Sequence, residues 1–224
     1  VDIRGYGKST RPAVMDQPAA DNKPIADSDT AARDYAAAAD WVRNRRNIDK
    51  LNVVGHSWGT VITALYTTRH ADKVNRLVLF APVWIRKTAS LTDSGGALGA
   101  YRTVTIDAAR KRKAAGLKPG QNPQPDAWFE AWAAATFESD PVGSKATPKF
   151  VRAPNGSVQD GRLYWSAGKP VYDPTLITVP TMLILAEWDA DTPLYMAQTL
   201  FPLLTKSKDK KLVVLSEGTH GIMN

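Results

Sequence analysis

Cysteine is absent from this 224-residue chain, and histidine is scarce, limited to His56, His70 and His220. Disulfides and thiolate metal sites are therefore excluded, and three scattered imidazoles give no basis for a histidine-rich metal centre. No metal and no other cofactor is expected. Long apolar runs are also missing, so no membrane span is expected. Neither a start methionine nor a signal-like segment opens the sequence, and no compartment is read from it. Internal repeats and low-complexity tracts are lacking too. What remains is ordinary globular material, 43% hydrophobic and 23% charged, enough for one sizeable domain or one domain with a large insertion.

The net charge of +7 would suit an acidic partner, nucleic acid or an anionic surface. Yet the basic residues are scattered, apart from Arg110-Lys111-Arg112-Lys113 and the run from Lys206 to Lys211. No nucleic-acid motif accompanies them. The first run reads as a solvated helix face and the second as a solvated loop, so no nucleic-acid partner is expected.

The most informative stretch is Leu51 to Gly59, Leu-Asn-Val-Val-Gly-His-Ser-Trp-Gly. A short apolar run ends in Gly-x-Ser-x-Gly and a helical pattern follows at once. Strand, tight turn and helix in that order make a nucleophile elbow. Gly55 and Gly59 are expected to keep the adjoining strand and helix free of clashes. Ser57 then projects from the strand end, and the Trp58 N–H faces an oxyanion formed on its attack.

Around this element, Val1 to Ile3 read as the end of a strand, followed by a glycine turn and a loop from Arg11 to Pro24. A helix is expected from Thr30 to Arg46, capped by oxygens of the Asp27-Ser28-Asp29 group and ending in basic residues that suit its dipole. The helix behind Ser57 should run to about His70, and a buried strand from Arg76 to Phe80. Strand and helix alternation predicts an α/β fold with a mostly parallel, doubly wound sheet. From Val83 the pattern changes, with helices expected near Gly99 to Ala115 and Asp126 to Phe137. The first pattern returns with strand Thr181 to Leu185, helix Pro193 to Leu204 and strand Leu212 to Leu215. The chain thus divides into core residues 1–82, an inserted helical cap at 83–178, and core residues 179–224.

A serine nucleophile needs a base, and the base needs an orienting group. His220 lies in a glycine-flanked loop after the last strand and is the best base. His56 should point away from Ser57 and pack below the turn, and His70 suits a helix end. For the third member, Asp189 fits the loop after Leu185 best, ahead of Asp191 and Glu187. Those two read as local loop or capping groups. Trp84, Trp128 and Trp132 are candidate substrate-pocket residues, or else form with Trp165 the cap's own small core.

Three motifs in order, Asp2-x-Arg4-Gly5-Tyr6-Gly7-x-Ser9, Gly55-His56-Ser57-Trp58-Gly59, and Asp189 with His220, resemble the alpha/beta hydrolase fold superfamily. The resemblance covers nearly the whole chain outside the cap and implies a Ser-Asp-His serine hydrolase. It also implies earlier strands and a His-Gly loop bearing a second oxyanion donor, neither visible here, so a further segment or second chain is expected to complete the sheet. Haloalkane dehalogenases and epoxide hydrolases are similar at the Asp-x-Arg-Gly turn but use aspartate at the elbow. Among serine members, cap-bearing carboxylesterases and prolyl aminopeptidases are the nearest in pattern. The aminopeptidases usually have glycine at the place of His56 and need an acidic cluster for a free amine. An ester substrate is therefore expected, and the composition of the tryptophan-rich cap alone suggests short to medium acyl length, polyester-like ones included. A prolyl aminopeptidase-like amide hydrolase is the alternative, and a non-catalytic ligand-binding member of the fold comes third.

Overall fold

The order of apolar runs and capped helices is realised in a computed structural model that describes residues 1–122 and 124–221. Its strands are β1 (Leu51–His56), β2 (Val74–Phe80), β3 (Tyr101–Thr105), β4 (Phe150–Pro154), β5 (Thr181–Ala186) and β6 (Lys210–Leu215). Four of them form a parallel sheet in the order β1-β2-β5-β6. The sheet ends its strands on one rim, so the loops after β1, β2, β5 and β6 open together. That shared rim is what can bring distant residues into one site.

Helix α1 (Ser28–Arg46) starts where Asp27 accepts the Thr30 N–H at 2.7 Å and ends on Asn47 in the left-handed region. Its Ala31, Ala32 and Ala39 are buried against α2 (Trp58–Arg69), and Tyr35 meets Tyr66 edge to face at 5.1 Å. Alanine lets these two helices approach closely. Leu77, Leu79, Leu183 and Leu185 complete this core from the sheet, each at most 1% exposed. On the other side of β1, Asn52 and Val54 lie exposed.

Between β2 and β5 the chain departs from the helical expectation. Tyr101 to Thr105 is not helical but pairs antiparallel with Phe150–Pro154, and the helix α3 covers only Ile106–Lys113. Three consecutive β-branched residues, Thr103, Val104 and Thr105, favour the strand, and the Thr105 hydroxyl caps α3 by accepting the Ala108 N–H at 3.2 Å. Helix α4 (Asp126–Glu138) matches the expected one. Helix α5 (Gly156–Leu163) has no counterpart in the sequence reading, because Gly156 and Gly161 are poor helix formers. Gly156 is there for space: a Cβ would sit 2.2 Å from the Ala26 backbone. Helix α6 (Leu194–Leu200) stops short of the expected Leu204, yielding to a tighter turn at Phe201–Leu203 that contains Pro202. At the N-terminus, Val1 to Ile3 belong to no strand among the described residues. No helix among the described residues is long and apolar enough to cross a membrane.

Candidate active site

Ser57 is the pivot between β1 and α2, with φ 55° and ψ −128°. A non-glycine residue at positive φ is strained and persists only where its surroundings hold it. Here the Ser57 N–H donates to Phe80 O at 3.0 Å, and Ser57 O accepts from the Thr60 N–H at 2.9 Å and the Thr60 hydroxyl at 2.6 Å. Thr60 Oγ1 in turn accepts the Val83 N–H at 3.0 Å, tying the loop after β2 to the turn. The Trp58 N–H, first in its helix, has no intrahelical acceptor and carries the positive end of the α2 dipole.

The two glycines of the elbow differ. A Cβ on Gly55 would lie 2.3 Å from Thr63 Oγ1 and 2.5 Å from Gly59 O, so the expected need for glycine holds there. At Gly59 a Cβ would meet nothing within 4 Å, which corrects the expectation for that residue. Gly55→Ala should therefore unfold the protein at markedly lower temperature. Gly59→Ala should keep or raise its melting temperature, since alanine is favoured over glycine in a helix by up to about 1 kcal/mol. Thermal denaturation of the two variants checks both signs.

His220 and Asp189 converge on Ser57 from the other end of the chain. His220 Nε2 lies 2.8 Å from Ser57 Oγ, and His220 Nδ1 lies 2.8 Å from Asp189 Oδ2. Asp189 is 4% exposed, and the loop wraps its carboxylate: Oδ1 accepts the Asp191 and Thr192 N–H groups at 2.8 Å each, and Oδ2 accepts the Thr192 hydroxyl at 2.7 Å. Burial pushes its proton affinity up, but the bonds to His220 and Thr192 outweigh burial and hold the group ionised below the usual carboxylate range. Cross-links between the two loops fix this geometry. The Trp188 N–H donates to Gly218 O at 2.8 Å, and the Glu217 N–H donates to Glu187 Oε2 at 3.2 Å. Glu187 is thus a loop tie, as the sequence reading allowed.

His56 does more than pack beneath the turn. Its Nε2 is 3.2 Å from His220 O, and its ring stacks at 5.0 Å on the His220 ring and 5.3 Å on Phe80. Burial lowers its pKa to about 4, assisted by the nearby His220 charge. The neutral ring then donates its Nε2 proton to the carbonyl and steadies the His220 loop. Because the folded ring resists protonation while an unfolded one titrates near 6.5, the unfolded state binds more protons between these values. Stability should hold above about pH 6.5 and fall as pH drops toward 4, and His56→Asn should flatten that part of a denaturant-midpoint profile.

Asp191, the rejected acid, is nonetheless close. Its Oδ2 stands 3.9 Å from His220 Nε2 and accepts from Arg112 Nε at 2.8 Å, while its carbonyl accepts from Arg86 Nη1 at 2.5 Å. Arg112 comes from the basic run on α3, where Arg110, Lys111 and Arg112 are exposed as expected, but its Nε is turned to a partner in the loop after β5. Arg110 pairs with Glu130, and Lys113 Nζ sits buried 3.7 Å over the Trp132 ring, its pKa lowered to about 8 by burial. Only Lys111 points free of such contacts. Gly116, just beyond α3, packs so tightly on Trp188 O that a Cβ would lie 1.9 Å from it. The end of α3 thus lies over the Asp189 loop.

The tryptophans separate. Trp84 is buried in the main core beside Tyr172, Trp132 joins Phe129 and Phe137 in a second, smaller apolar cluster, and Trp128 is 59% exposed. Trp165 is buried in the main core rather than the cap's. Among the described residues no cluster of His, Asp or Glu is suited to a metal ion.

Comparison with known proteins gives a family model described as alpha/beta hydrolase fold, matching residues 1–190. An abhydrolase domain-containing protein of Caenorhabditis elegans is 30% identical over 81 residues, a match spanning 36% of this chain and 16% of that protein. Similar solved structures include a bacterial membrane phospholipase A (20% identity, TM-score 0.59), of which 99% of this chain covers 63%. A serine hydrolase involved in carbazole degradation is 18% identical with TM-score 0.62, covering 99% of this chain and 71% of its own. An esterase from Exiguobacterium antarcticum is 19% identical with TM-score 0.58, covering 99% and 74%. At these identities the likeness is one of fold.

Proposed function

Because the chain belongs to the alpha/beta hydrolase fold family, we propose that it hydrolyses carboxylic esters through an acyl-serine intermediate. The observation that carries this reading is the unbroken pair of 2.8 Å contacts from Ser57 Oγ through the His220 ring to Asp189. Ser57 Oγ bonds to the ester carbonyl carbon as its proton passes to His220 Nε2. Negative charge moves to the carbonyl oxygen, where the Trp58 N–H at the positive end of α2 receives it. Asp189 holds the tautomer with the proton on Nδ1 and stabilises the imidazolium. Collapse breaks the bond to the alkoxy oxygen, which leaves as the alcohol with the proton from Nε2. Water then repeats the sequence in reverse, with His220 as base, and frees the acid.

Ester rather than proline-amide cleavage is favoured by the charge beside the base. A free substrate amine needs an unpaired carboxylate, but Asp191, 3.9 Å from His220 Nε2, is already paired with Arg112. Rates on 4-nitrophenyl acyl esters against proline 4-nitroanilide test this. Faster turnover of esters is expected, and faster turnover of the anilide would overturn it.

The open edge of β1, whose one sheet neighbour is β2, supports a second proposal: a further segment or second chain adds a strand there. Amides of β1 should then exchange slowly with solvent in the complete assembly, and fast exchange there would contradict it.

A further inference from the structure

Arg112 reaches the catalytic groups from the cap and uses only part of its guanidinium. Nε donates to Asp191 Oδ2 at 2.8 Å, whereas Nη1 and Nη2 have no hydrogen bond or ion pair among the described residues, and the side chain is 40% exposed. Three contacts lead from it to the nucleophile: Arg112 Nε to Asp191 at 2.8 Å, Asp191 to His220 Nε2 at 3.9 Å, and His220 Nε2 to Ser57 Oγ at 2.8 Å. The free guanidinium edge therefore lies within a few methylenes of the scissile bond.

The other charges around it are spoken for. Arg86 gives Nε, Nη1 and Nη2 to the carbonyls of Thr88, Asp191 and Ala89. Arg102 gives Nη1 to Pro154 O and Asn155 Oδ1. Asp189 is committed to His220 and Asp191 to Arg112 Nε, so among the described residues no ion pair is left for the outer edge of Arg112 or for the buried Lys113 ammonium. Burial is the main cost to the charge of Arg86 and Arg102, and the excess positive charge from nearby Arg112 adds to it. An incoming anion would relieve that excess.

We propose that Arg112 is a specificity residue whose Nη1/Nη2 edge binds a carboxylate carried by the substrate, several bonds from the ester carbonyl. The planar pair of N–H donors matches the two oxygens of a carboxylate, and holding it leaves the Nε bond to Asp191 intact. Asp191 then has a definite part: it aims Arg112 over the site. This inference rests on the esterase reading and names its substrate class.

The test compares kcat/KM on two matched pairs, mono-4-nitrophenyl adipate against 4-nitrophenyl hexanoate, and 4-carboxyphenyl butyrate against phenyl butyrate. The anionic-to-neutral ratio is taken within each variant, which cancels any general loss of rate or folded fraction. In at least one pair Arg112→Gln should lower that ratio about tenfold or more, mainly through KM, the scale of a charged hydrogen bond. Arg112→Lys should restore part of it. Lys111→Gln, which removes the same charge from the exposed neighbour, should leave it unchanged. An unchanged ratio in Arg112→Gln for both pairs, or an equal drop in Lys111→Gln, would overturn the proposal while neutral-ester turnover kept the esterase reading. Absence of turnover on all four esters by the folded parent would instead overturn the esterase reading beneath it.

Discussion

Ser57→Ala should lower kcat on an activated ester by about 10⁴-fold or more, with little change in folding. The size follows from the role: without Oγ no acyl-serine forms, and what remains is the field at the Trp58 N–H plus binding. Folding is spared because the Ser57 hydroxyl makes one hydrogen bond among the described residues, to His220 Nε2, while the turn is held by the Ser57 backbone through Phe80 and Thr60. His220→Ala should cost a similar factor. The double variant should be no slower than either alone, because the pair acts as a unit and its effects do not add. Steady-state kinetics on 4-nitrophenyl butyrate reads all three. Losses of only a few fold, or losses that multiply in the double variant, would mean that the pair does not act as nucleophile and base.

Asp140→Ala should be the most destabilising single change away from the site. Asp140 is fully buried, and it accepts from Arg152 N at 2.7 Å, Arg152 Nη2 at 2.9 Å, Val142 N at 2.9 Å and Gly143 N at 3.1 Å. Arg152, 4% exposed, also donates Nη1 to Met15 O, so this pair fastens the inserted segment to the N-terminal loop. Burial alone would favour the neutral acid, but these donors hold the carboxylate far below its usual range. Removing it leaves the buried guanidinium with only Met15 O and the exposed Asp16 as polar partners and takes the acceptor from several N–H groups at once. The cost of breaking such a pair is about 3–5 kcal/mol, or on the order of 10 °C in melting temperature for a chain of this size. Asp140→Leu combined with Arg152→Met should lose less than Asp140→Ala alone, since the buried guanidinium leaves with its partner while Arg11, 3.8 Å from Asp140, keeps its bonds to Gly5 O and Ser139 O. A shift of 2 °C or less in calorimetry for Asp140→Ala would contradict this account of the joint.

The contrast between these two regions explains what the sequence discloses. Ser57, His220 and Asp189 were legible because each sits in a short segment whose local pattern, strand followed by a glycine-bearing loop, fixes where it ends up. Parallel strands then do the rest, since their C-terminal ends share a rim. Asp140 and Arg152 carried no such signal, for nothing in either neighbourhood says that the two will be buried together. Arg112 is the clearest case. On a run of four basic residues it reads as solvent-facing, and only its seating against the loop after β5 shows the partner, Asp191, far along the chain. Likewise β3 was absorbed into the helix that follows it, because its antiparallel partner β4 lies across the whole of α4. Gly59 is the opposite case: the motif implies a packing need for glycine that the open space around it does not impose.

Treating the protein with a fluorophosphonate, then mapping the modified peptide by mass spectrometry, probes the nucleophile without assuming any substrate. One adduct is predicted, on Ser57, lost in Ser57→Ala and formed far more slowly in His220→Ala. A folded protein that takes up no label, or takes it up on another residue, would contradict the assignment on which the whole functional reading stands.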